Sequence, residues 1–516
     1  MGVRDFTLFD VALRNARLHA DGVAFVCGAE RVTHAAHLAR VERLAAGLAC
    51  AGIGPGDRIA VLSHNNLAFV DLYGAAARCG AILVPINWRL SAEEIAYIVR
   101  DAAPRIVIAD ADLQPMLDGR QTAFPTVEGW YGIGGGAPFT PFADLMATDP
   151  ARGAALPDPH GDAHAGLVMF YTAAVGGRPR GALLSAAGLL AGSMQLMHDW
   201  SLTPGDVNLG VLPLFHLAGL TMLLAAQHAG GTTVVMPRFD ADAALEQIRT
   251  EKVTMLAEFP PILATLLDKI GDGAGARTDG RAEGLASLRI VTGLDSPETI
   301  ARLEGACPGA RFWAAFGQSE TSGFVTLAPF RDRPGSAGRP TPLHTVAVVD
   351  DADRPVPTGS TGEIVVRGPG VFKGYWNCEA DTAFTFRNGW HHTGDQGAFD
   401  ADGYLWYKGR SPAKELIKPG GENVYPAEVE AAIAAHPAVA QVVVIGVPDA
   451  QWGEAVKAVC TCKAGRTATP QEIIDFVGAR IARYKRPKHV VFVDALPLTA
   501  AGAVDRGAVK QAHGHA

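Results

Sequence analysis

No apolar run in this chain reaches the length that crosses a bilayer, so the sequence offers no membrane-spanning helix. Cysteine is scarce: seven residues in 516, at positions 27, 50, 79, 307, 378, 460 and 462. The number is odd and the spacing irregular. Neither a disulfide framework nor a cysteine metal site is expected, and a reducing compartment fits. Cys460 and Cys462 would share one strand face, but no second pair accompanies them. Charge is thin as well, at 19% of residues, dispersed and summing to −8. That argues against nucleic acid or an anionic membrane surface as partner. The opening "MGVRDFTLFDVALRNARLHADG" lacks the continuous apolar core of a secretory signal, and Phe6 stands where a myristoylation signal needs Ser or Thr. These absences lead us to expect a soluble, cytoplasmic chain.

What the chain has is length and apolar content. At 516 residues it is too long for one simple core, so two or more domains are expected, and hydrophobic residues, at 48%, suffice for large buried cores. "RIAVLSHNN" (58–66), "AFVDLYGAAARCG" (68–80), "AILVPIN" (81–87), "SAEEIAYIVRDAAP" (91–104) and "RIVIAD" read as strand, helix, strand, helix, strand. Ser91 is the expected N-cap and Glu94 its capping-box partner. Parallel crossovers and an α/β sheet follow. The pattern returns at 207–216, 231–237, 253–261 and 288–295, while 132–165 and 271–284 read as loops. From Thr345 onward, short β segments with Gly and Asp turns predict a small barrel or meander. After Arg410 helix and strand alternate again, and "PQEIIDFVGARIARYKRP" reads as one helix. The expectation is an α/β protein with domains 1–409 and 410–516. The first is a multi-layer unit of two α/β subdomains plus a β-barrel, and the second is small and α+β.

Four stretches carry chemistry. In "FYTAAVGGRPRGALLS" (170–185), Gly176, Gly177 and Gly181 let backbone N–H groups approach an anion, with Arg178 and Arg180 adding charge. An ordinary glycine turn with solvated arginines is the competing reading. In "FWAAFGQSETSG" (312–323), Glu320 at a strand end is a candidate Mg²⁺ ligand or a helix-start carboxylate. In "NGWHHTGDQGAFDADGYLWYKGR" (388–410), Asp395 can take two ribose hydroxyls, and a hairpin would return Arg410 beside it. A structural ion pair explains the same residues, and His391 and His392 read as packed or solvated. In "KELIKPGGENVYPAEVE" (414–430), Gly420-Gly421 form a turn and Pro426 opens a helix.

In order and spacing, these stretches make the chain resemble the adenylate-forming acyl-CoA synthetase superfamily over nearly its whole length. The family's phosphate loop T-S-G-T-T-G-x-P-K-G corresponds to Thr172–Gly181. Its P-L-F-H box is Pro213–His216, and its Y-G-x-T-E is Phe316, Gly317, Gln318, Ser319 and Glu320. Its ribose aspartate and arginine are Asp395 and Arg410, and its G-G-E-N-V-Y-P turn runs from Gly420 to Pro426. "YKRPKHVVFVDALP" (484–497) resembles the C-terminal signature. The resemblance implies an acid:CoA ligase using ATP, Mg²⁺ and coenzyme A. A carboxylate attacks the α-phosphate to give acyl-AMP, a mobile C-terminal lid rotates, and the CoA thiol displaces AMP. Glu320 would hold Mg²⁺, His216 would flank the acid, Gly420 and Gly421 would line the pantetheine path, and Lys418 would serve thioester formation. The family often dimerises, which leaves a homodimer open.

Three departures stand out. Ala173, Ala174, Val175 and Gly176 replace the hydroxyl-bearing part of the phosphate loop, and Arg180 replaces its lysine, so backbone and guanidinium groups are expected to bind triphosphate. Ala503 stands where the family has its adenylation lysine, and Arg506 or Lys510 are the candidate substitutes. Ser411-Pro412-Ala413 lengthens the hinge, with a proline at its pivot. These changes raise two alternatives, a relative confined to the thioester half-reaction and a binding protein without turnover; an enzyme loading a carrier protein is a third, less favoured because no carrier domain is fused here. The expected acid-pocket wall is His216, Gly293, Leu294, Ala315 and Gly317. Room at Ala315 and Gly317 suits a cyclic, aromatic or branched acid of small to medium size.

Overall fold

The structure, a computed structural model, describes residues 5–149, 156, 161–172, 179–270, 285–410, 416–498 and 504–515. The alternating segments near the N-terminus fold as read. Strands Arg58–Leu62, Ile82–Ile86 and Ile106–Asp110 run parallel, joined by helices Leu67–Cys79 and Ala92–Ala102. The first helix stops because Gly80 turns left-handed at φ 69°, a conformation glycine adopts without a Cβ penalty. The second starts in a capping box, with Ser91 Oγ accepting from Glu94 N and Glu94 Oε2 accepting from Ser91 N. These strands are almost wholly buried on both faces, as parallel strands covered by helices must be.

They belong to an eight-stranded sheet that also contains Gly166–Thr172 and Arg180–Ser185, the two strands on either side of the glycine-rich stretch 173–179. A nine-stranded sheet takes in Val207–Gly210, Met255–Glu258, Ile290–Gly293, Arg311–Gln318 and Gly323–Pro329. A five-stranded antiparallel sheet follows, with Trp390–Phe399 at its centre and Leu405–Arg410 on one side. Arg410, assigned from sequence to the C-terminal domain, is the last residue of that strand. Last comes a three-stranded sheet of Val439–Asp449, Gly453–Cys462 and His489–Phe492, flanked by helices Pro426–Ala434 and Pro470–Gly478. The mixed α/β architecture with a smaller C-terminal unit is thus observed.

Two local readings need correction. The stretch 132–165, read as loop, holds the short strand Thr140–Pro141 and the helix Phe142–Met146, which buries Phe142 and Leu145. Five helical residues are too few to show a period in sequence. The helix read through 470–487 ends at Gly478, and Arg483–Lys485 form a separate 3₁₀ turn. There Ala482 is buried against the helix Ala92–Ala102, a packing demand that the sequence period does not report. The 271–284 insertion and the 411–413 hinge lie outside the described residues.

Candidate active site

A cavity of about 550 Å³ opens where the large sheets meet the C-terminal unit. Its polar end is built by two strand termini. The strand Arg311–Gln318 runs into a 3₁₀ turn, Ser319–Thr321, whose geometry is held by Gln318 N donating to Thr321 Oγ1 at 2.9 Å. This delivers Glu320 opposite the end of strand Gly166–Thr172. Thr172 Oγ1 donates to Glu320 Oε1 at 3.2 Å, and Tyr375 Oη donates to the same oxygen at 3.0 Å. Burial and the Glu320 charge push the Tyr375 hydroxyl well above its ordinary value, so it stays a donor.

The neighbouring wall comes from the hairpin Trp390–Arg410. Its turn is made by Asp400, which accepts from Asp402 N and Tyr404 N, and by Gly403 at φ 79°. The resulting register sets Asp395 opposite Arg410. Arg410 Nε lies 3.0 Å from Asp395 Oδ1, an ion-pair contact too oblique for a hydrogen bond. Tyr407 Oη donates to the same oxygen at 3.1 Å, while Gln318 Nε2 donates to Asp395 Oδ2 and, at 3.0 Å, to Thr393 O. His391 Nε2 faces Gln318 Oε1 at 3.3 Å, and His392 Nδ1 faces Glu363 at 2.9 Å, so both histidines are packed partners. Burial alone would lower the Arg410 pKa, but Asp395, with Tyr425 and Tyr407, keeps the guanidinium firmly protonated.

The middle of the cavity is set by Asn65. Its side chain donates to Leu212 O at 2.9 Å and accepts from Leu214 N at 2.8 Å, while Tyr73 Oη donates to Leu214 O. The Pro213–His216 box is therefore pinned, and His216 sits at the start of helix Leu217–Ala229. Around it the wall turns apolar, with Val211, Leu217, Ala218, Phe259, Ile262 and Phe324. Thr221 adds a hydroxyl among them, which makes no hydrogen bond among the described residues and looks across at Gly323.

The far end is closed by the Pro419–Gly421 turn of the C-terminal unit. Ile417 and Val424 pair across its base, and Gly420 N donates to Trp452 O at 3.0 Å. Gly420 and Gly421 have φ of 56° and 82°. A Cβ on Gly421 would meet the Phe259 ring at 2.7 Å, so glycine is needed for both conformation and space. The turn carries Glu422 into the large unit, where it pairs with Arg89, lies 3.3 Å from His216 Nε2 and accepts from Asn87 at 3.2 Å. Burial pushes the Glu422 carboxyl up, but His216 and Arg89 more than reverse that and hold it at about 2. Lys418, before the turn, is reachable from the cavity yet surrounded by protein. That desolvation, and then the nearby Arg410 charge, lower its pKa.

The structure thus gathers Thr172, Arg180, His216, Gly317, Gln318, Ser319, Glu320, Arg410, Lys418, Gly420 and Gly421 around one cavity. Asp395 stands just behind, 1% exposed. Phe316 is packed in a small core with Val325 and Ile364, its ring 6.0 Å from that of Tyr407. Gly181 sits in its strand against Met169. Gly176, Gly177, Arg178 and Ala503 lie outside the described residues. Arg180 is not a free phosphate cation: it pairs with Asp381 at 2.7 Å and its guanidinium lies over the Tyr375 ring at 4.4 Å. Arg506 is engaged inside the C-terminal unit with Glu430 and Val444 O, both at 2.7 Å. Of the expected acid-pocket wall, Gly293, Leu294 and Ala315 do not line this cavity. Leu294 is exposed, and Gly293 has the Glu258 carbonyl where a Cβ would be. The space beside Gly317 is likewise filled by Gly323 O, so the missing side chain there serves strand approach, and the open room lies at Gly323. Sequence reasoning missed Asn65, Arg89, Thr221, Tyr375 and Glu422. Only Glu422 had a signal, an acid directly after a Gly-Gly turn.

The sequence pattern of the AMP-binding enzyme family matches residues 13–376, and that of the AMP-binding enzyme C-terminal domain matches residues 428–503. The chain belongs to the AMP-binding enzyme family. Among curated members it is 35% identical to an indoleacetate–CoA ligase of Aromatoleum aromaticum over 486 residues, 91% of each chain. It is 33% identical to a feruloyl-CoA synthase of Amycolatopsis over 516 residues, 97% of this chain and 98% of that one. Among solved members, a double mutant of the o-succinylbenzoate CoA synthetase of Bacillus subtilis, bound with a product analogue, superposes with a TM-score of 0.84 at 27% identity, covering 97% of this chain and 98% of that one. An amide bond synthetase of Marinactinospora thermotolerans gives 0.85 at 26% identity, covering 98% and 100%.

Proposed function

We propose that this chain joins a ring-bearing carboxylic acid to coenzyme A. It is an AMP-forming acyl-CoA synthetase: the acid's carboxylate attacks the α-phosphorus of ATP and pyrophosphate leaves, then the CoA sulfur attacks the acyl carbonyl and AMP leaves. One observation carries the reading. A single cavity joins a polar end at Thr172, Gln318, Glu320 and Arg410, an apolar middle at His216, and a glycine turn from the C-terminal unit.

In this reading Asp395 receives the ribose hydroxyls. Its two oxygens offer about four acceptor sites, and the Gln318 and Tyr407 donors can be exchanged for them. Arg410, always charged, faces the α-phosphate. The fit to Mg²⁺ rests on Glu320: one carboxylate with a hydroxyl beside it suits an ion that takes most remaining ligands from water and phosphate. Bound there, Mg²⁺ would neutralise phosphate charge. Glu422 orients His216 against the reacting carboxyl group. Lys418, reachable from the cavity beside the glycine turn, balances charge on departing AMP. The relatives named for indoleacetate, ferulate and o-succinylbenzoate support a ring-bearing acid, as do Phe259 and Phe324 in the wall.

The test is acid-dependent exchange of labelled pyrophosphate into ATP, together with CoA-thioester formation, across indoleacetate, ferulate, o-succinylbenzoate and straight-chain fatty acids. Ring acids should give the highest kcat/KM for both steps. A clear preference for straight chains, or thioester formation without exchange, would overturn the reading. Ala503→Lys should raise exchange by about 10²–10³ if one transition-state donor is missing.

A further inference from the structure

Away from the cavity, a buried cation ties the C-terminal unit to the large one. Lys485 Nζ lies 2.5 Å from Glu94 Oε1 and 2.7 Å from Glu428 Oε1. Its side chain is 3% exposed. Glu94 belongs to the large unit, where its Oε2 already completes the capping box of helix Ala92–Ala102 and also accepts from Ala482 N at 3.0 Å. Glu428 belongs to helix Pro426–Ala434, which begins directly after the Glu422 turn. Both ends of this node lie close in sequence to the Arg89–Glu422 contact: Glu94 just beyond Arg89, Glu428 just beyond Glu422. The two contacts are parallel fastenings of one seam, the first at the cavity and the second buried behind it.

We propose that Lys485 is a positioning residue that seats the glycine turn on the cavity, acting through Glu94 and Glu428. The assignment of a half-reaction to this seat rests on the function proposed above. Thr172, Glu320, Asp395 and Arg410 all stand in the large unit and need no such fastening, whereas Gly420, Gly421 and Glu422 do. Removing the cation leaves two carboxylates facing each other in a buried seam, which drives them apart. Loss of Lys485 should therefore slow the step that uses the turn and spare the step built on the large unit.

The experiment compares the full-length wild type with Lys485→Met, Lys485→Arg and Glu94→Gln. Amide hydrogen exchange of residues 417–425, read by mass spectrometry, needs no substrate. It should rise about tenfold or more in Lys485→Met and Glu94→Gln, with the sheet Val439–Cys462 unchanged and Lys485→Arg in between. Equal exchange in wild type and both variants overturns the proposal, as does an equal rise across that sheet, which would mean simple unfolding. In parallel, indoleacetyl- and feruloyl-adenylate are presented with CoA. Thioester formation should fall about tenfold or more in Lys485→Met while pyrophosphate exchange holds. Equal loss of both steps rejects a positioning role. Failure of the wild type to use any acyl-adenylate defeats the proposed function instead, and the exchange result still decides the seat.

Discussion

Glu422 is where the two ends of the chain's chemistry meet. Its carboxyl sits at about 2 against an ordinary 4.5. A depressed carboxyl contributes stability that is complete above the ordinary value and is lost as pH falls from about 4.5 toward about 2. The seat of the turn should weaken across that window, on the order of 3 kcal/mol. Trp452, whose carbonyl holds Gly420, reports the change by fluorescence. The wild type should show a transition there that Glu422→Gln lacks; superimposable profiles would reject the pairing as its cause. Thr221 poses a different question. A hydroxyl with no hydrogen bond among the described residues, set beside apolar side chains, discriminates among ring acids by what they offer it. Thr221→Val should lower kcat/KM for ring acids with a hydrogen-bonding substituent by about 5–10-fold and leave unsubstituted ones unaffected, measured by competition between the two. Equal effects on both would remove Thr221 from selectivity.

The Pro419–Gly421 turn acts as one element. Its left-handed glycines, its bridge at Ile417 and Val424 and its contact with Phe259 leave no place for a side chain. Gly421→Ala should strain the local backbone by about 1–3 kcal/mol and displace the Phe259 ring. Thioester formation from acyl-adenylate should drop while pyrophosphate exchange persists; an alanine variant with wild-type thioester rates would show that the turn does not line the thiol path. The hairpin Trp390–Arg410 is the complementary element. Its Asp-Gly turn and register alone suffice to bring Asp395 to Arg410, which is why the pairing could be read from the sequence.

At the scale of the molecule, the proposed function has substrates bind between units, which links ligand affinity to global stability. Adding AMP at about 100 times its Kd should stabilise the folded chain by about 2.7 kcal/mol, seen as an unfolding midpoint that climbs with the logarithm of concentration. Asp395→Asn should flatten that climb. A flat response in the wild type would remove Asp395 as a nucleotide group. The division proposed after the five-stranded sheet gives each unit its own core, with the buried clusters around Ile433, Val444 and Val459 separate from those of the large sheets. No helix among the described residues is long and apolar enough to cross a membrane.

By itself the sequence determined what depends on neighbours along the chain: the Ser91–Glu94 box, the Gly80 stop, the Gly420-Gly421 turn, the Asp395–Arg410 hairpin and the alternation that makes an α/β fold. Each of these follows from backbone dihedrals and short-range hydrogen bonds, which residue type dictates. Tertiary structure alone decided the partners of long side chains. Arg180 turned to Asp381 and Tyr375, Glu422 reached Arg89 and His216, Leu294 stayed outside, and the gap at Gly317 was taken by Gly323. Those choices join residues far apart in sequence, and burial and charge settle them only once sheets and helices have been packed together.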